Sequence, residues 1–138
     1  MSAFRCYIQT IGLVSTLGEG TGETFLRLMA GDTGGMRTET GWLPSGLATV
    51  GRVTATLPRL PSKFAEYDCR NNRLLAATAL QIEPVLTTLI DCYGPARIGV
   101  ILGTSTSGIA AGEAGIEARI RNGVFPSDYS YRQQEIGT

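Results

Sequence analysis

At 138 residues, with 43% hydrophobic and 17% charged side chains, the chain is one domain at most, long enough to bury a core. Twelve Lys and Arg balance twelve Asp and Glu, so no basic field is present to attract nucleic acid or an anionic membrane. There is no histidine, which removes the commonest general base and the commonest zinc ligand.

Phe4–Val14 reads as a first strand, rich in Ile, Tyr and Thr, and Ser15-Thr16-Leu17-Gly18 leads out of it. Thr21 is the expected N-cap of a helix over about Glu23 to Ala30, with Phe25, Leu28 and Met29 on one face and Gly31 as its stop. Gly34 to Pro61 is irregular, although Leu47–Leu57 has the β-branched content of a strand or ribbon. A long helical region over Arg73 to Tyr93, opened by Asp68 or Asn71, contains Pro84, which predicts a kink or a split. Gly94-Pro95 ends it.

Arg97–Ile109, RIGVILGTSTSGI, is the most informative stretch. Ile98, Val100, Ile101 and Leu102 make the near-continuous apolar run of a strand covered on both faces. Gly103 and Gly108 then bracket Thr104, Ser105, Thr106 and Ser107. A short helix over Ala111–Arg121 follows, with Glu117 and Arg121 one turn apart and Asn122-Gly123 closing it. Two strand-to-helix passages predict an α/β scaffold whose ligands meet the carboxyl ends of its strands. Two parallel strands joined by a long helical crossover are seldom stable alone, so the chain reads as part of a larger domain.

Established chemical motifs fail one after another. Gly103–Gly108 has the glycine spacing of a phosphate cradle, but Ile109 follows where Lys and Ser or Thr are required. Gly18, Gly20 and Gly22 alternate and do not make the dinucleotide fingerprint; these glycines also serve simply to turn a strand into a helix. Cys6, Cys69 and Cys92 are scattered, which fits a reducing cytoplasm and not a metal site. Cys6 is expected mid-strand, buried and inert, and Cys92 near a helix C-terminus, where the dipole disfavours a thiolate. Cys69, between Asp68 and Arg70, has the best setting for activation, but no histidine is available to serve as its base. Glu113 and Glu117 make a solvated helix face. No apolar run approaches the roughly 20 residues of a membrane span, and no secretory leader is evident, so a soluble cytoplasmic protein is expected.

The opening RCYIQTIGLVSTLGEGTGETFLRLMAG resembles the start of β-ketoacyl-acyl-carrier-protein synthases, a strand of the type V-x-I-T-G-L-G-x-V-S-P-L-G followed by a helix ending W/F-x-x-L-L-x-G. Phe25, Leu26, Leu28 and Gly31 match that ending. RIGVILGTSTSGI resembles the second strand and G-T/S-G-x-G-G turn of the same family, and NNRLLAATAL its preceding helix. The series covers nearly the whole chain in the family's order and spacing. Ser107 stands where a glycine is usual, and Thr16 where proline is common.

The resemblance implies residues 1–138 of a thiolase-like α/β/α/β/α layered sandwich, incomplete in this chain and ending before the catalytic cysteine region. It implies decarboxylative condensation of an acyl thioester with malonyl-carrier protein, using a cysteine at a helix N-terminus and two histidines. None of Cys6, Cys69 and Cys92 lies in the family's T-A-C-S-S motif, so this chain by itself is expected to hold no catalytic residue, metal or cofactor. Carried over by position, Thr106 and Ile109 are the expected acyl-pocket residues. The implied partners are acyl carrier protein and a second synthase chain, in a homodimer or heterodimer, with no nucleic acid or membrane. Two alternatives stand beside the synthase: a non-catalytic chain-length-factor-like partner, and a stand-alone module binding acyl or phosphate groups.

Overall fold

Extended backbone becomes a strand only where another strand lies within ladder distance, and four short segments of this chain meet that condition. The computed structural model describes residues 5–105, 108–127, 129 and 130. They fall into two units, one of Met1–Thr56 with Thr78–Ile98 and one of Leu57–Ala77 with Gly99–Thr138.

In the first unit β1 (Val14–Ser15) and β2 (Gly18–Glu19) form a small antiparallel hairpin, Val14 opposite Glu19. Helix α1 (Thr21–Met29) follows directly. Its N-cap is Gly20 at φ +82°, so Thr21 is the first helical residue and not the expected cap. The Glu23 carboxylate reaches back to accept from the Glu19 N–H at 3.0 Å and pairs with Arg27 at 2.8 Å. Gly31 sits at φ +64°; its N–H donates to the Leu28 carbonyl at 3.1 Å, and the Asp32 N–H to that of Arg27 at 2.9 Å. These two bonds are a Schellman closure, which the left-handed residue makes possible.

A second antiparallel ribbon pairs β3 (Met36–Glu39) with β4 (Ala48–Gly51), Thr38 opposite Thr49. β4 is the opening part of the ribbon expected over Leu47–Leu57. Arg52 grips Glu39 through Nε at 2.9 Å and Nη2 at 2.6 Å, and Trp42 Nε1 donates to the same carboxylate at 3.0 Å. Thr16, in the first hairpin's turn, lies against this ribbon. A Cβ on Gly35 would come within 2.0 Å of its carbonyl oxygen.

Two expectations fail on pairing. Of the described residues of Phe4–Val14 only Val14 enters a ladder, and Ile98–Leu102 enters none; the described residues contain no parallel strand pair. Both segments have strand-like composition, but no neighbouring strand lies alongside them to complete a ladder. Their apolar side chains are correspondingly open, Ile8 at 83% and Ile101 at 97% exposure. Cys6, expected to be buried, is exposed for the same reason.

Helix α2 (Arg70–Tyr93) begins at Arg70, before the expected Arg73, and continues through Pro84. The proline withholds one backbone donor without ending the helix; Thr87 and Thr88 hydroxyls donate to the carbonyls of Glu83 and Pro84, each at 3.0 Å. By length and composition α2 could cross a bilayer, although no uninterrupted apolar run suggested it. Its polar positions do structural work in the fold: the Gln81 carboxamide accepts from the Leu13 N–H at 2.9 Å and donates to the Leu13 carbonyl at 3.1 Å. Gly12 permits that approach, because a Cβ there would lie 2.2 Å from the Thr78 carbonyl oxygen.

The second unit contains a 3-10 turn (Ser62–Tyr67), the opening of α2 and helix α3 (Ile109–Asn122). α3 extends past both ends of the expected Ala111–Arg121 and closes on Gly123 at φ +78°. Gly112 and Gly115 are buried on it, and the Tyr129 ring fills the place a Cβ on Gly115 would need, 2.4 Å away. Phe125 stacks on Tyr129 with centroids 4.6 Å apart, and the Arg119 guanidinium lies 5.1 Å from the Phe125 centroid. Glu117 and Arg121 pair at 2.6 Å as their spacing predicted.

Among the described residues Ala77 is the sole buried hydrophobe and no side chain is fully buried. The chain exposes 10690 Å², where a folded monomer of this length exposes about 6,900 Å². Close approach at Gly12 has a measurable consequence. Gly12→Ala destabilises the intact protein by roughly 1–3 kcal/mol, whereas Gly22→Ala, whose Cβ would meet nothing within 4 Å, stabilises α1 by about 0.5 kcal/mol. Urea denaturation of both variants checks the opposite signs.

Candidate functional site

The sequence directs attention to the glycine-bracketed segment before α3, and its described part, Gly103–Ser105, is held by one specific bond. Thr104 Oγ1 donates to Oδ1 of Asn71 at 2.7 Å. Asn71 sits in the first turn of α2 and is the buried polar residue of the described chain, at 6% exposure. Its Nδ2 donates to Asn72 Oδ1 at 3.3 Å, and Asn72 Nδ2 to the Tyr67 carbonyl at 2.8 Å. A chain of amides therefore runs from the 3-10 turn through the start of α2 to Thr104.

The start of α2 is fixed from a second direction. Asp68 accepts from Arg73 through both oxygens, at 2.6 and 2.7 Å, and from the Leu60 N–H at 3.3 Å. The Arg73 hydrogen bonds, opposed by partial desolvation and helped by the Leu60 N–H, hold the Asp68 carboxyl below the usual aspartate range. The Cys69 carbonyl accepts the Arg73 N–H at 3.0 Å. Cys69 is thus half-buried beside the helix start, while Cys92 is exposed in the last turn of α2.

Of the two expected acyl-pocket residues, Ile109 is the first residue of α3 and 54% exposed, next to the buried cap Gly108. Thr106 lies outside the described residues. Asn71 was missed as a site residue; its signal was the polar pair Asn71-Asn72 opening an otherwise apolar helix. Glu113 and Glu117 lie on an open groove of α3 with Ile116, Ile120 and Arg121, as a solvated face should. Among the described residues no three His, Cys, Asp or Glu side chains gather into a metal-binding group. Around the start of α2 the arrangement supplies a framework and an anchored hydroxyl on Thr104.

The chain is similar to a chain of a solved structure, the ketosynthase (ApeO) in complex with its chain length factor (ApeC) from Xenorhabdus doucetiae. Identity is 38% and the TM-score 0.79, over 95% of this chain and 34% of that one. No family model matches the sequence, and no curated protein matches it. The fold is therefore part of a thiolase-like α/β architecture of the ketosynthase kind, and the present chain spans about a third of the matched chain's length.

The Asp68 pair gives a pH dependence with a definite sign. A carboxyl held low in the folded state stabilises fully above its unfolded value and loses that contribution as pH falls through the folded one. Stability therefore declines as pH drops below the ordinary aspartate value of 3.8. In Asp68→Asn that portion of the acid-side decline disappears, and denaturation midpoints measured across this range show it.

Proposed function

We propose that this chain is the amino-terminal portion of a 3-oxoacyl-[acyl-carrier-protein] synthase-like acyltransferase of fatty acid or polyketide synthesis. The observation that carries the reading is the 38% identity sustained over 95% of the chain, together with the TM-score of 0.79. The strand-like segments left open, Tyr7 to Ile11 and Val100 to Leu102, support it, since an apolar run of that kind stabilises only against neighbouring strands.

In the proposed reaction an acyl group is carried as a thioester on a cysteine of the complete protein. Malonyl-carrier protein loses carbon dioxide, and the resulting carbanion forms a carbon–carbon bond to the acyl carbonyl as the cysteine thiolate departs. The present residues contribute shape to that step. Thr106 and Ile109 are the proposed acyl-pocket residues, of which Ile109 is the first residue of α3. Acyl carrier protein and a second synthase chain are the proposed partners, and the cytoplasm the proposed compartment.

A second reading is a chain-length-factor-like subunit that lacks the nucleophile and shapes the pocket of an active partner. The matched complex contains a protein of each kind, which favours keeping it. The complete protein, purified with any co-expressed synthase homologue and supplied with acyl- and malonyl-carrier protein, separates the two. Carbon dioxide release and a two-carbon-longer product from this protein alone support the synthase. Product only when the homologue is present supports the non-catalytic subunit. No condensation in either case overturns both.

A further inference from the structure

Asn71 is costly where it stands. A carboxamide taken out of water loses free energy unless its hydrogen bonds are replaced, and an apolar residue of similar volume would pack at that site without the penalty. The bond that Asn71 Oδ1 receives from Thr104, 2.7 Å long and linking residues 33 apart, is its strongest compensation. Its bond to Asn72, at 3.3 Å, is longer. The amide row beyond it, ending on the Tyr67 carbonyl, and the bidentate Asp68–Arg73 pair one step before it both fix the helix start from which Asn71 reaches. On the other side of the bond Thr104 belongs to an open stretch: a Cβ added at Gly103 would meet nothing within 4 Å, and Leu102 is 59% exposed.

We propose that Asn71 is a positioning residue, which through Thr104 fixes the Gly103–Ser105 backbone and thereby sets which acyl lengths the pocket accepts. The proposal rests on the acyl-pocket reading of Thr106 and Ile109 given above. Asn71 itself touches no acyl group. It acts by denying the Gly103–Ser105 backbone its alternative positions, which a glycine-flanked segment would otherwise sample.

The test uses the complete protein with its partner. Asn71→Leu removes the acceptor, Thr104→Val removes the donor at nearly constant volume, and Thr104→Ser keeps the hydroxyl. The ratio of products differing by one malonyl-derived unit is measured, along with deuterium uptake by the peptide containing residues 103–105. Asn71→Leu and Thr104→Val are expected to shift the product ratio by roughly fivefold each, the size one hydrogen bond commands. The double variant shifts it no further, both variants raise uptake in that peptide, and Thr104→Ser stays at the wild-type ratio. An active complex whose product ratio is unmoved, even with lowered thermal stability, overturns the positioning role alone. Additive effects in the double variant overturn it as well, because independent contributions are what a shared bond forbids. A wild-type complex that condenses nothing overturns the pocket reading beneath it.

Discussion

Two side-chain amides on one helix anchor the two most strand-like segments of this chain. Gln81 accepts the Leu13 N–H and donates to the Leu13 carbonyl, so its carboxamide replaces the pair of bonds a neighbouring strand would make. Asn71 receives the Thr104 hydroxyl. Each contact lies within its own unit, and in each the amide does what an apolar helix surface cannot, satisfying a polar group at one defined position. Gly12 then follows as a necessity, since the Leu13 backbone reaches Gln81 only if nothing larger than hydrogen faces the Thr78 carbonyl.

The same view accounts for the exposed apolar surface. Hydrogen-bond anchors fix position, but the gain from burial comes only when apolar area leaves water, at about 25 cal/mol per Å². Ile8 and Ile101 remain almost wholly open, as does much of α1, where Phe25, Leu26, Leu28 and Met29 are each more than half exposed. A sheet segment open on both faces has its energetic reward still outstanding.

What could be read from the residues divides along a physical line. Local signals succeeded: Gly31 and Gly123 close helices in the left-handed conformation, Glu117 pairs with Arg121, and the α2 and α3 regions are helical within a few residues. These depend on neighbours one turn away. Apart from Val14, the described residues of Phe4–Val14 and of Ile98–Leu102 enter no ladder, because pairing is a property of two segments and composition describes only one. Pro84 does not split the helix, since a single missing donor is tolerable among many other bonds. Asn71 escaped notice because burial of a polar residue is decided by tertiary neighbours. The likeness to the ketosynthase kind of fold, by contrast, is carried by the order of whole motifs and not by any one contact.

The electrostatics indicate what kind of work these residues do. Among the described residues the perturbed titrating groups are Glu39 with Arg52 and Asp68 with Arg73, and each pair is explained mainly by its own hydrogen bonds. Glu39 and Arg52 brace an exposed ribbon, and Asp68 and Arg73 brace the start of α2. None of the four lies on the backbone from Arg97 to Ile109, where the acyl group is proposed to sit. A site that moves protons places its shifted groups where the protons move. In these segments the shifted groups sit at joints of the framework: Glu39 and Arg52 hold the β3–β4 ribbon, and Asp68 and Arg73 hold the start of α2, from which Asn71 reaches Thr104.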